Sequence, residues 1–146
     1  MPSLPRIRRT RAREVVVAVS APPSPPAELG AAGLTWINLD APTLTHAQKL
    51  ADRFGWHPLD VEDVMSKRQR PKVDDYADDR YLFGVLHFPV YDRAVQRLNA
   101  AELDVFVGPD YLVTLPTVEL LPVARLFRRC EEDQGFREQL FSKGSG

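Results

Sequence analysis

From Arg80 to Pro116 the chain reads as three strands in succession, "RYLFGVLHFPVYD", "LNAAELDVFVG" and "DYLVTLP", parted by turn residues. Gly108-Pro109-Asp110 is a strong turn signal between the last two. Strands this close in sequence pair as an antiparallel meander, since a parallel pairing needs a crossover of a dozen residues or more. That block limits the chain to folds built around a sheet, and the remaining segments must cover it.

Two segments on the amino-terminal side also read as strands. "EVVVAVS", Glu14 to Ser20, is β-branched enough to be buried, and "LTWINLD", Leu34 to Asp40, alternates apolar and polar with Trp36 and Asn38 on one face. Between them "PPSPP", Pro22 to Pro26, is a stiff connector. "TLTHAQKLADRFG" places Leu44, Ala47, Leu50, Ala51 and Phe54 at helical spacing, with a threonine for the N-cap and Gly55 as the stop. His57-Pro58 opens a second helix, because proline is pre-organised for the first helical position; Leu59, Val61, Val64 and Met65 supply its apolar content. From Val118 to Phe141 the apolar spacing is helical again, interrupted near Gly135. Helices both between and after strands predict an α/β or α+β layer sandwich with a mixed sheet.

A chain of 146 residues with 44% apolar composition can bury one core, so we expect a basic arm over residues 1–13 and a single domain over 14–146. The arm, "MPSLPRIRRTRAR", holds five arginines and no apolar periodicity. With 19 Lys and Arg against 20 Asp and Glu the net charge is close to zero, which gives no global pull toward nucleic acid or anionic lipid. A lone Cys130 closes no intrachain disulfide, and no apolar run approaches the ~18 residues of a membrane-spanning helix. The expected setting is therefore reducing and aqueous.

Motifs for common chemistries are missing. There is no Walker loop, no Gly-x-Gly-x-x-Gly and no nucleophile elbow, and His46, His57 and His87 lack the spacing of a zinc helix. Asp74, Asp75, Asp78 and Asp79 lack the glycine and the closing glutamate of an EF-hand and are expected in a solvated turn between strands. We expect no enzyme.

Charge is concentrated in "FGWHPLDVEDVMSKRQRPKVD", Phe54 to Asp74, where Asp60, Glu62 and Asp63 precede Lys67, Arg68, Arg70 and Lys72. Asp60 falls in the first turn of the second helix, where the helix dipole favours a carboxylate by ~0.3–1 kcal/mol. Glu62 and Asp63 are adjacent, so their side chains diverge by ~100° and serve separate contacts. Taken alone, the stretch is an acidic helix surface paired with the basic run, which tethers the turn that follows.

Five blocks in order give a sharper expectation: "WINLD" at 36–40, "FGWHPLDVEDV" at 54–64, "QRPKVD" at 69–74, "YLFGVL" at 81–86 and "VFVGPDYLVT" at 105–114. This succession resembles the amino-terminal cytoplasmic domain of CorA-type magnesium transporters, over roughly residues 34–130. The resemblance implies an α/β/α layer sandwich with a mixed, partly antiparallel sheet. In that family the domain leads into a long helix, two transmembrane helices and a Gly-Met-Asn pore loop, assembled as a homopentamer at the inner membrane; none of those parts is in this sequence, so it looks like the cytoplasmic piece of a transporter. The resemblance also implies a weak regulatory Mg2+ site between neighbouring subunits, with Co2+ or Zn2+ as alternative ions, onto which Asp63 maps, with Glu62 at a nearby secondary site. The opposing carboxylate would come from a neighbour's long helix. Competing readings are a zinc or cobalt transporter of the same type, and a stand-alone module that binds nucleic acid or a lipid surface through the arginine arm, although nucleic acid is not expected as a partner. An isolated fragment is expected to be monomeric or weakly associating.

Overall fold

The computed structural model describes residues 26–66 and 68–144. The expected arm, the strand over Glu14–Ser20 and most of the proline connector lie outside these residues. In chain order the elements are β1 (Ala27–Ala31), β2 (Leu34–Asn38), α1 (Leu44–Phe54), α2 (Pro58–Met65), β3 (Lys72–Tyr76), β4 (Tyr81–Asp92), β5 (Arg97–Val107), β6 (Tyr111–Pro116), α3 (Leu121–Glu132) and α4 (Gln134–Phe141).

The six strands form one sheet in the order β1-β2-β6-β5-β4-β3. After β2 the chain crosses one face of the sheet through α1 and α2, enters β3 at the far edge, and returns strand by strand until β6 lies beside β2. That return fixes the direction of the last pairing: β2 and β6 run parallel, Ile37 opposite Val113, while every other pair is antiparallel. The expected meander is present, and it has a fourth member. "KVDDY" is strand β3, which corrects the expected solvated turn: Asp74 and Asp75 belong to the sheet, and the turn is confined to residues 77–80.

Helix ends follow their local chemistry. The Thr43 hydroxyl accepts the His46 N–H at 3.2 Å, and Gly55 closes α1 with φ 71°, its N–H donating to the Ala51 carbonyl at 2.7 Å. Any residue with a Cβ would be strained at Gly55. At the start of α2 the His57 ring nitrogen Nδ1 accepts the Leu59 N–H at 3.2 Å, so this histidine serves as a cap. Helix α3 ends at Asp133, whose carboxylate then caps α4 through the Phe136 N–H.

The layers are helix, sheet, helix. On one face Ala47, Leu50 and Ala51 of α1 and Val61 and Val64 of α2 pack with Ile37, Phe83, Val85, Phe106, Val113 and Leu115. On the other, Phe127 and Cys130 of α3 and Phe141 of α4 pack with Leu34 and Trp36. Alternation along β2 divides the layers, sending Trp36 to one and Ile37 to the other. Trp56, just past α1, lies flat on Phe106 with ring centroids 3.5 Å apart. At the β5–β6 turn a Cβ on Gly108 would meet the Tyr111 ring at 2.1 Å, so the close approach of that ring requires glycine. Phe106 is wholly buried at the centre of the α1–α2 face. Phe106→Ala is expected to lower unfolding free energy by about 3–5 kcal/mol, read from urea denaturation followed by circular dichroism.

Candidate functional site

Helix α2 lies across the β3–β4 end of the sheet, and its acidic residues have three different surroundings. Asp60 is only 1% exposed. Its carboxylate accepts the phenolic hydroxyls of Tyr76 at 2.9 Å and Tyr81 at 2.6 Å. The Tyr81 oxygen in turn accepts the His57 N–H at 2.8 Å. The first-turn position of Asp60 holds, but Asp60 itself is no part of the expected acidic surface. Asp60 is an internal tie between α2, β3 and β4, and a buried charge is tolerated there because it has donors on both oxygens. Burial, followed by the hydrogen bond to Asp60, pushes the Tyr76 phenol up to about 12 and raises Tyr81 as well.

Asp63, one turn further, is half-buried. Its Oδ1 accepts Gln69 Nε2 at 3.0 Å and its Oδ2 accepts Lys72 Nζ at 2.5 Å. Gln69 Nε2 also reaches the Asp63 carbonyl at 3.0 Å, holding the segment after α2 against the helix. Lys72 continues to Asp74 Oδ2 at 2.7 Å, and the two hydrogen-bonded carboxylates raise its pKa. Of the expected basic run, Lys72 thus meets the acidic helix directly, while Arg68 and Arg70 are exposed. Glu62 is exposed and has no hydrogen bond or ion pair among the described residues. Its side chain and that of Asp63 still border one open groove of about 480 Å³, shared with Asp60, Lys72 and Asp74.

One oxygen each from Asp60, Asp63 and Asp74 lies within 4.8 Å of the others. Carboxylate oxygen is the donor type hard divalent cations take, whereas zinc sites are usually built with nitrogen or sulfur. The donor set therefore fits a hard divalent cation, with Lys72 as the positive charge already present. Cys130 is remote, buried in α3, and burial raises its thiol. Composition gave no hint of Asp60's two phenols, of Gln69 or of Asp74 joining Asp63; the alternation Lys72, Asp74, Tyr76 along one strand face is the signal that could have revealed the last.

The chain matches the family model "CorA-like Mg2+ transporter protein" over residues 31–142. It belongs to the CorA-like family. Among relatives, it is 34% identical over 94 residues to YfjQ of Bacillus subtilis strain 168, whose name assigns it provisionally to metal ion transport; that stretch is 64% of this chain and 28% of YfjQ. It is also 34% identical over 74 residues to the cobalt/magnesium transport protein CorA of Thermotoga maritima, covering 50% of this chain and 20% of that one. The chain thus spans less than a third of the length of these relatives. In fold it is similar to the soluble domain of CorA from Methanocaldococcus jannaschii, with a TM-score of 0.57, 16% identity, and coverage of 75% of this chain and 45% of that one. The α+β architecture is therefore that of a CorA soluble domain. Among the described residues no helix is long and apolar enough to cross a membrane.

Beneath the groove lies a further acid absent from the sequence expectations. Asp104, on the same face of β5 as Phe106, is 2% exposed, and its Oδ1 has no hydrogen-bond partner. Burial, with help from Glu102 and Asp63, pushes its carboxyl from 3.8 up to about 7. The folded state therefore holds this proton more tightly than the unfolded chain does. Its contribution to stability is full below about pH 4 and is lost as pH rises through about 7. Asp104→Asn is expected to remove a loss on the order of 2–4 kcal/mol between those pH values, measured as urea midpoints across the range. Tyr76→Phe, which takes one donor from the buried Asp60 carboxylate, is expected to cost about 1.5–3 kcal/mol in the same assay.

Proposed function

We propose that this chain is the divalent-cation-sensing part of a CorA-type transporter, working at the cytoplasmic face of the inner membrane as one subunit of a homopentameric ring. Asp63 is the carboxylate offered to a regulatory Mg2+ ion, whose remaining ligand comes from a neighbouring subunit, and Glu62 belongs to a nearby secondary site. The observation that carries this reading is the acidic groove on α2 in a chain of this family, with Asp63 at its wall and Glu62 exposed beside it without an in-chain partner.

The groove's chemistry supports a sensor of an abundant ion. Mg2+ dehydrates reluctantly and is held through one or two carboxylates, so affinity is low and occupancy follows concentration over the physiological range. When bound, the ion supplies positive charge that offsets repulsion between acidic faces of adjoining subunits. The protein's own part is to hold those faces rigid. Asp60, tied to Tyr76 and Tyr81, keeps α2 fixed on the sheet, so that Asp63 and Glu62 meet a facing subunit in one orientation. Without the ion the like charges repel, the ring loosens, and a distant pore is free to open. The name of the Thermotoga maritima relative, which includes cobalt, keeps Co2+ as an alternative cargo.

In the longer transporter that contains this sequence, Asp63→Asn and Asp63→Lys are expected to weaken inhibition of ion flux by internal Mg2+ while leaving conduction intact. Flux in proteoliposomes at graded Mg2+ measures this, and inhibition identical to that of the unsubstituted protein would refute the role. In the 146-residue chain the same ion should produce fast-exchange amide shifts over residues 61–65; shifts confined to 75–79 would place the ion elsewhere.

A further inference from the structure

The Asp63 and Asp74 carboxylates already share a cation of the protein's own making. Lys72 Nζ lies 2.5 Å from Asp63 Oδ2 and 2.7 Å from Asp74 Oδ2. Its ammonium also sits 5.3 Å from the centroid of the Phe83 ring, which fixes the stem along the sheet. With Gln69 on the other oxygen of Asp63, neither oxygen of that carboxylate is free. An ammonium and a divalent ion cannot both take Asp63 Oδ2 at contact distance, because their mutual repulsion grows as the dielectric falls.

We infer that Lys72 is an internal counter-cation that must leave Asp63 before a divalent ion can bind there, and that this displacement sets the concentration at which the site fills. The inference rests on the sensing role proposed above for Asp63. The fold also provides the lysine with a second partner. Lys72 pairs in register with Val85 on β4, and Val85 pairs with Asp104 on β5. Lys72 and Asp104 therefore leave the same face of the sheet two strands apart, ~10 Å between backbones, a span their side chains can bridge together. Asp104 is buried and its Oδ1 lacks a partner. An ammonium moving inward from Asp63 and Asp74 gives that oxygen a donor while opening both outer carboxylates to the groove. The exchange costs less than expelling Lys72 into water would, since a buried polar atom is satisfied in the process.

The test is a Mg2+ titration of the 146-residue chain at constant ionic strength, with amide shifts over 61–65 and the Lys72 Nζ resonance followed by NMR. Lys72→Met removes the charge and keeps the stem over Phe83. It is expected to tighten Mg2+ binding by about tenfold or more, the order expected when a unit positive charge is removed within ~4 Å of a divalent ion. In the unsubstituted chain the Nζ resonance should move with the same midpoint as the amides. Equal or weaker binding by Lys72→Met, still abolished by adding Asp63→Asn, overturns the counter-cation and leaves the sensing role standing. Binding indifferent to Asp63→Asn with or without Lys72→Met overturns the sensing role itself. Should Lys72→Met fail to fold, the Nζ resonance decides: no movement at saturating Mg2+ refutes displacement.

Discussion

A carboxylate taken out of water must be given donors, and Asp60 receives the hydroxyls of Tyr76 and Tyr81. Those two phenols sit at the ends of β3 and β4 nearest their connecting turn, paired directly across the ladder. One side chain of α2 therefore grips two strands at once, and the rings stack on each other with centroids 4.7 Å apart. The position of α2 follows from that grip. So does the placement of Asp63 opposite Lys72 and Asp74, because a helix fixed at Asp60 presents its next turn over the same edge of the sheet.

Electrostatics at this edge depends on partial neutralisation. Asp60, Asp63 and Asp74 bring three carboxylates together, with Lys72 between two of them and tyrosine hydroxyls on the third. Solvent reaches Asp63 and Lys72, so their pairing contributes little to stability, and its consequence is to hold the side chains in place. Deeper in, Asp104 and Glu102 add acid on the same face, and Glu102 is satisfied by the Gln69 N–H at 2.7 Å. A region with this much negative charge and a single ammonium shared between two carboxylates suits an exchange of cations better than permanent closure.

Much of the fold was legible because local chemistry and tertiary packing agree there. Thr43 and Gly55 bound α1, Pro58 begins α2, and the three strands from Tyr81 to Pro116 emerge with their turns in place. Strand β3 was hidden for a physical reason. Aspartate is disfavoured in strands, and "KVDDY" is kept in the sheet by its five-pair ladder with the twelve-residue β4 and by side-chain partners across it, not by its own propensity. Strand β1, "AELGA", is concealed likewise by alanine and glycine, and exists because it pairs with β2 residue for residue. The order of short blocks was informative beyond any of them singly, since it carried the family and with it the layer architecture.

For the site, the sequence by itself determined which groups are near one another along the chain: a helix bearing Asp60, Glu62 and Asp63, followed by a lysine and more acid. It determined the family too, because the blocks at 36–40, 54–64, 69–74, 81–86 and 105–114 are read without coordinates. Only the tertiary structure decided what each charge does. Asp60 turns inward to two tyrosines, Asp63 outward to Lys72, Asp74 joins them from a strand, and Asp104 waits beneath from another. The reason is that a carboxylate's role depends on its distance from water and from other charges, and those distances are set by how strands distant in sequence are laid side by side.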